Sequence, residues 1–362
     1  MPSSTIGISQ SEGKNKFFPA FMQTKSRAKK LKFSICIPTY KGVDLIDDAL
    51  KSVFSQKFQD YEIIVCNDSP EDHQEMKEKL DSYKDSRIRF FANEKNLGCP
   101  LNLRKLAKEA RNEILFFLAQ DDILLGEALQ KTHDALFLDG DIGAVTRPYY
   151  QFYDDIKKPV RVIAPYDSKK DSVITIFDGE KEVRKIFESL GQVSGLAYRK
   201  KWIEIDFHEE IFPTHIYPFA SITKRHKIVF LKDYTVAVRI PSSQCRFKSS
   251  IYDISPVGSW VKMLNNVYAG SKFETVRQQA IKFITTTNFV GLIQIKNYSS
   301  LKNLLREIFL LVKYYPKNIF NPKFWFFSLG TILVPKKLLI GLVDNYKNKI
   351  LARKLKDIEI TS

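Results

Sequence analysis

Asp121 and Asp122 stand together at the end of a short apolar run, ILFFLA over 114–119, with Gln120 between the run and the acids. Two adjacent carboxylates repel each other unless a cation lies beside them, and hard oxygen ligands suit Mg2+ or Mn2+. A solvated Asp-Asp turn is the rival reading of the pair, and the stretches upstream decide between them. Pro38-Thr39-Tyr40-Lys41-Gly42 follows the apolar run FSICI, and Asn67-Asp68-Ser69-Pro70 follows YEIIVC. Asp68 is able to accept from the imide N–H of a nucleobase, and Tyr40 to stack on its ring. Taken together, the three loops offer a nucleoside pocket beside a carboxylate pair that can hold a metal-bound diphosphate.

These loops act together only if the elements before them are neighbours. Continuous apolar runs of this length read as strands buried on both faces of a parallel sheet. The pattern predicts strands over 33–38, 61–66, 87–91 and 114–118. Helices are predicted over 42–56, 71–84 and 100–111, the first carrying Leu45, Ile46, Ala49, Leu50, Val53 and Phe54 on one stripe. Strands alternating with such helices imply right-handed crossovers, which bring every strand-end loop to one edge, where open α/β sheets bind ligands. No GxGxxG follows the first strand, which disfavours a dinucleotide cofactor. The rhythm then changes: antiparallel strands and a Tyr-rich loop over 142–163, a helix over 180–190, the segment QVSGLAYRK (192–200), a loop, and strands over 228–231 and 235–240.

Charge separates the ends of the chain from its body. Of the net +16, residues 1–32 carry +6 and residues 301–362 carry +8, so everything between is nearly neutral. Basic ends on a neutral body suit an anionic surface. No zinc spacing, RNP-like stretch or recognition helix supports nucleic acid. The basic C-terminal end is also rich in Leu and aromatics, which favours a membrane surface. Residues 301–315 are amphipathic. FWFFSLGTILV (324–334) is uncharged yet shorter than the roughly 20 residues needed to span a bilayer, so it reads as an interfacial segment or a helical hairpin packed on the body. Cys36, Cys66, Cys99 and Cys245 show neither disulfide nor zinc spacing, and the N-terminus lacks a signal peptide's apolar core. The expectation is a cytoplasmic protein, peripheral on the cytoplasmic face of the membrane, with a flexible basic arm (1–30), a catalytic domain (31–245) and a basic helical region (246–362).

SICIPTYKG, YEIIVCNDSPED and NEKNLGCPLNLRKLAKEARNEILFFLAQDDIL, in that order, resemble a family 2 glycosyltransferase of GT-A fold, in the branch whose metal motif reads Q-D-D. The resemblance implies an α/β protein with a mostly parallel sheet flanked by helices, here with a helical C-terminal appendage. It implies an inverting enzyme that uses a nucleotide-diphospho-sugar, a divalent metal, Mg2+ or Mn2+, and a carbohydrate or lipid-linked acceptor, as in cell-surface polysaccharide synthesis. Pro38, Thr39 and Tyr40 match the family's first-loop nucleotide contacts, and Asp68 one of its base-recognising acids. Asn96 and Gly98 match its N-x-G turn, followed by Asn102. Gln120 opens the Q-D-D motif, Asp121 matches the metal ligand, and Asp122 its neighbour near the donor sugar.

Three departures stand out. Ala119 occupies the position of the first acid of D-x-D, Asn67 replaces one acid of the usual pair, and the late Glu-Asp pair that supplies the catalytic base is missing. Glu209, Glu210 and His215 are the groups available there, and a neutral imidazole can take a hydroxyl proton near neutral pH. The acceptor is expected between Asp122 and the segment 195–202, where Trp202, Tyr149 and Tyr150 are candidate sugar-stacking rings, with core packing the stronger reading for at least two of them. A nucleotide-sugar-binding protein without turnover is the main rival. A nucleotidyltransferase ranks lower, because residues 38–42 hold only one Gly and one Lys.

Overall fold

Along β1 (Phe33–Thr39), Phe33, Ile35 and Ile37 enter one hydrophobic core and Cys36 enters another on the opposite face. The strands β2 (Tyr61–Asn67) and β4 (Ile114–Phe117) divide their side chains the same way, which is why each reads as apolar throughout rather than alternating. With β3 (Ile88–Ala92) they form the parallel half of an eight-stranded sheet, in the order β3-β2-β1-β4. Register matters for function: Thr39 lies opposite Asn67, and Asn67 opposite Ala92, so three successive strands end level with one another. The computed structural model describes residues 31–210, 212–240, 249–336 and 338–339. The basic arm and the boundary near residue 245 lie outside the described residues.

Helices α1 (Ile46–Phe54), α2 (His73–Ser82) and α3 (Cys99–Glu109) are the crossovers between these strands. Helix α1 buries Ile46, Ala49, Leu50 and Val53 on one stripe, and Asp47 and Asp48 in its first turn suit the positive end of the helix. Beyond β4 come the two-residue strand β5 (Ile123–Leu124) and α4 (Ala128–Ala135). The large sheet continues through β6 (Ile142–Thr146), and a second, four-stranded sheet takes up β7 (Tyr149–Phe152) and β8 (Pro159–Ile163). Of the strands within 142–163, β7 and β8 are the two that pair antiparallel with each other, while β6 is antiparallel to the later segment 197–198. Pro148, which has no N–H to give a ladder, separates β6 from β7 and lets them join different sheets.

Strand β9 (Ser172–Ile174) closes one edge of the large sheet, and α5 (Glu180–Ser189) leads to β10 (Ala197–Arg199), which lies antiparallel between β4 and β6. The segment up to 227, expected as a loop, contains α6 (Ile216–Thr223). All eight of its residues are buried, so it carries no amphipathic period to read. Strand β11 (Lys227–Phe230) pairs with β6 in the large sheet, and β12 (Val236–Arg239) joins β5 to β7 in the small one.

Five α-helices follow among the described residues: α7 (Pro256–Val267), α8 (Glu274–Thr287), α9 (Gly291–Tyr298), α10 (Leu301–Tyr314) and α11 (Pro322–Leu333). Their apolar side chains belong to the same core as Cys36, Phe117 and Phe187. Phe187 of α5 meets Trp260 and Tyr268 edge to face, at centroid distances of 6.0 and 6.3 Å. Each such buried aromatic contributes about 1.5–3 kcal/mol through burial. Tyr268 also shares a 2.7 Å hydrogen bond with Thr223 at the end of α6.

Candidate active site

The loops that follow β1, β2, β3 and β4 are tied to one another by hydrogen bonds. The Gln120 side chain accepts from the Tyr40 N–H at 2.8 Å and donates to the Tyr40 carbonyl at 3.2 Å, as a neighbouring strand would. Gly42 makes room for this pair, because a Cβ there would lie 2.0 Å from Gln120 Oε1. Lys41 sits in the left-handed region (φ 50°), and its N–H donates to Ser69 Oγ at 2.6 Å. A non-glycine residue in that conformation costs about 1 kcal/mol, here offset by the hydrogen bond.

Asp68 is the hinge of the adjacent pair of loops. Its N–H donates to the Thr39 carbonyl. Its buried carboxylate accepts from Leu97 N at 2.7 Å, Gly98 N at 2.8 Å and Asn93 Nδ2 at 2.9 Å. The carboxylate therefore builds the turn after β3. Asn96 is exposed, and its Oδ1 shares the Gly98 N–H. Asn102 is buried and donates to the Cys66 carbonyl at 2.9 Å, so it anchors α3 to the end of β2. Thr39, also buried, donates to Asn67 Oδ1 at 3.1 Å, and Asn67 in turn donates to Asp72 at 2.6 Å. Half-buried Pro38 and Tyr40 border the opening, Tyr40 with Lys41 beside its ring.

Asp122 points inward. Its oxygens accept from Ser194 Oγ at 2.5 Å and from Arg239 N at 2.9 Å, which joins the tip of β4 to the starts of β5 and β10 and the end of β12. Burial first, and the charge of Asp121 second, push the Asp122 carboxyl well above the usual range, while Ser194 and the Arg239 N–H act in the opposite sense. Ser194 also accepts the Ala119 N–H at 2.8 Å. Behind it, fully buried Arg147 donates to the carbonyls of Ser194, Ser189 and Gln192 at 2.6, 2.9 and 2.9 Å. Burial pulls this guanidinium down to about 10. Gly195 (φ 80°) fits where a Cβ would lie 2.5 Å from Val236 and 3.0 Å from Arg147. Sequence reasoning missed Ser194, Arg147 and Arg239. The signal for Ser194 was its place just before a strand antiparallel to β4, and that direction is invisible in the sequence.

The three groups expected as candidate bases lie further along the chain. Glu209 is exposed and faces Arg104 at 3.6 Å. Glu210 forms an ion pair with Lys262 of α7; burial opposes its ionisation, but Lys262 and Ser259 outweigh burial and hold its carboxyl below the ordinary range. His215, at the start of α6, donates Nε2–H to the Leu190 carbonyl at 2.8 Å. Burial pulls its imidazole down to about 4, so at neutral pH the ring is uncharged with its lone pair on Nδ1. Trp202 departs from its expected place: β10 runs against β4, so residues after Arg199 emerge at the opposite edge of the sheet from Asp122. There it stacks on His226 at 3.9 Å. Tyr149 and Tyr150 are buried and present no ring to a sugar.

Residues 34–203 match the family described as Glycosyl transferase family 2. This stretch, just under half of the chain, is what is similar to that family. It contains every loop of the crevice from Thr39 to Ser194, while Glu210 and His215 lie beyond it. The chain is similar to the GalNAc(5)-diNAcBac-PP-undecaprenol beta-1,3-glucosyltransferase of Campylobacter jejuni, 34% identical over 27% of this chain and 32% of that one. The chain spans about a third of the length of most of the curated relatives it matches, the Rickettsia and Campylobacter ones among them. In fold it is similar to S. aureus TarS 1–349, solved in complex with UDP-GlcNAc, with a TM-score of 0.59 and 15% identity over 90% of this chain and 91% of that one. It is also similar to the Pyrobaculum calidifontis mannosyltransferase PcManGT, solved with GDP-Man and Mn2+, at a TM-score of 0.53 and 13% identity over 84% and 87% of the two chains. The architecture is the expected GT-A one, α/β with a mostly parallel central sheet and a helical C-terminal region.

Proposed function

We propose that this chain transfers a sugar from a nucleotide-diphospho-sugar to a hydroxyl of a carbohydrate or lipid-linked acceptor in cell-surface polysaccharide synthesis, with inversion at the anomeric carbon. The observation that carries this reading is the stitching of Tyr40, Asp68, Gly98 and Gln120 into one crevice beside Asp121, inside the stretch similar to family 2. Tyr40, Thr39 and Pro38 border the nucleoside, Asp68, Asn96 and Gly98 shape its floor, and Asn102 holds that floor in place.

A divalent metal fits the residues present. Among the described residues no three His, Cys, Asp or Glu side chains converge on one point. Mg2+ and its relatives are commonly held by one or two carboxylates, with phosphate and water completing the shell. The mutual repulsion of Asp121 and Asp122 is what a cation would relieve. Asp121 would hold it as a Q-D-D motif, and bound metal supplies charge neutralisation for a departing diphosphate. Asp122 and Ser194 keep the Asp121 backbone in place, helped by Arg239 Nε, which donates to the Asp121 carbonyl at 3.2 Å.

We assign the proton acceptor to His215 through Nδ1, because Glu210 is neutralised by Lys262. The low basicity of that imidazole favours the second reading, a nucleotide-sugar-binding protein without turnover. Absence of any helix long and apolar enough to cross a membrane among the described residues is compatible with peripheral attachment to an anionic cytoplasmic membrane face. The test is a panel of nucleotide-diphospho-sugars offered with Mn2+ and undecaprenyl-diphospho-sugar acceptors. Release of nucleoside diphosphate together with a lengthened acceptor supports transfer; binding without release supports the second reading.

A further inference from the structure

Helix α11 is apolar on its outer side as well as its inner one. The side turned into the protein holds Phe324, Ser328 and Thr331, with Phe327 and Ile332 packed against the core, and the outer side holds Trp325, Phe326, Leu329 and Leu333. Phe326 is 75% exposed and Leu333 73%. The turn before the helix follows suit: Asn318 is buried, while Phe320 is 81% exposed. Trp325 ties the two together by donating Nε1–H to the Ile319 carbonyl at 2.7 Å. Ser328 Oγ is buried with no hydrogen-bond partner. In water this arrangement is costly on both sides, since polar groups are desolvated and large apolar ones hydrated. A soluble monomer seldom displays such a concentration of large apolar side chains without a partner for it.

The charges around it say which partner. Residues 301–336 contain six Lys and Arg and a single acid, Glu307. Glu307 is turned inward, where it accepts from Ser255 Oγ and, at 2.8 Å, from the N–H of Val257 at the start of α7. None of the six cations forms an ion pair with a carboxylate among the described residues. Lys317, Lys323 and Lys336 flank the apolar surface and are exposed. Helix α10 repeats the design, with Leu301, Leu305 and Phe309 exposed among Lys302, Arg306 and Lys313. An apolar strip edged by cations and stripped of outward carboxylates is complementary to an anionic bilayer. A protein partner would meet the same strip without needing the acid turned inward.

We propose that the outer side of α11 and the turn at 316–320 lie in the headgroup region of an anionic bilayer, parallel to its plane, with Phe320, Trp325, Phe326, Leu329 and Leu333 inserted. This rests on the proposed lipid-linked acceptor for its purpose, since it would hold the crevice near acceptors anchored in the same membrane.

The full chain is floated with phosphatidylcholine vesicles with and without phosphatidylglycerol, at low and high salt. The expected result is binding to the anionic vesicles only, reversed by salt, with a blue shift of fluorescence that is absent in Trp325→Phe. Phe326→Ser and Leu333→Ser remove binding without changing the thermal unfolding midpoint, because both side chains face outward. Each of Lys317→Gln and Lys323→Gln lowers partitioning about fivefold. No binding at low salt, equal binding by the Ser variants, or a stable oligomer that the same Ser variants dissolve would overturn the proposal. Transfer to a soluble acceptor is measured in parallel: loss of flotation with transfer intact condemns the surface alone, and flotation without transfer condemns the enzymatic reading alone.

Discussion

Ser194 donates a 2.5 Å hydrogen bond to the carboxylate of Asp122, and through it the start of β10 fixes the acidic tip of β4. Asp122 is buried beside another acid, so its partners determine whether it can ionise at all. Ser194→Ala removes the hydroxyl donor to Asp122 and leaves a buried carboxyl short of a partner. The expected cost is about 1–3 kcal/mol, read as a lower denaturant midpoint with unchanged slope. Ser194→Thr retains the hydroxyl and should recover most of it. Equal stability of wild type and Ser194→Ala would remove the clamp from the account.

A raised carboxyl pKa in the fold has a definite sign. Asp122 holds its proton to higher pH folded than unfolded, so the stability it contributes is present in acid and lost as pH rises through the folded value. A cation bound by Asp121 competes with that proton. Mn2+ affinity should therefore rise with pH in the wild type and lose part of that dependence in Asp122→Asn. Calorimetric titration at several pH values checks this, and a pH-independent affinity would contradict it.

Gly42 acts through Gln120. Any side chain at 42 must displace the Gln120 amide from Tyr40, since the added Cβ would lie 2.0 Å from its Oε1. Gly42→Ala should cost about 1 kcal/mol and weaken nucleotide binding. In a Gln120→Ala background the same change should cost almost nothing, because the clashing atoms are gone. A double-mutant cycle measures the coupling directly, and additive effects would show that Gly42 matters for another reason.

His215 is pulled down to about 4 by burial, so the folded chain binds fewer protons there than the unfolded chain between that value and the ordinary one. Stability is thus full above about pH 6.5 and falls as pH drops toward 4, by up to about 3 kcal/mol. His215→Asn should flatten that slope in urea unfolding between pH 5 and 7, estimated from these same pKa values. If His215 is also the proton acceptor, kcat/KM stays level across pH 5–8 and shows no inflection near 6.5. An inflection there would point to a different base.

Much of this was legible because local pattern and global topology agree. β1, β2 and β4 feed two cores at once, so their apolar runs announce a sheet covered on both sides, and parallel order brings Tyr40, Asp68 and Asp121 to one edge. What stayed hidden was set by pairing between distant segments. β5 is two residues long and exists only because β12 lies beside it. The antiparallel course of β10 delivers Ser194 to the crevice and sends Trp202 away, and nothing in QVSGLAYRKKW encodes that direction. Helix α6 is buried all round, so its sequence IYPFASIT lacks a polar face to mark it. The exposed apolar side of α11 is readable only once its inward side is known, for FWFFSLGTILV is apolar either way.

The most direct measurement is calorimetric titration of nucleoside diphosphates into the full chain, with and without Mn2+, in wild type and Asp121→Ala. Binding of at least one nucleoside diphosphate should require the metal and weaken about tenfold or more, a loss of roughly 1.4 kcal/mol, in the variant. Affinity that is the same without Mn2+ and unchanged by Asp121→Ala would contradict the assignment of this crevice to an activated sugar.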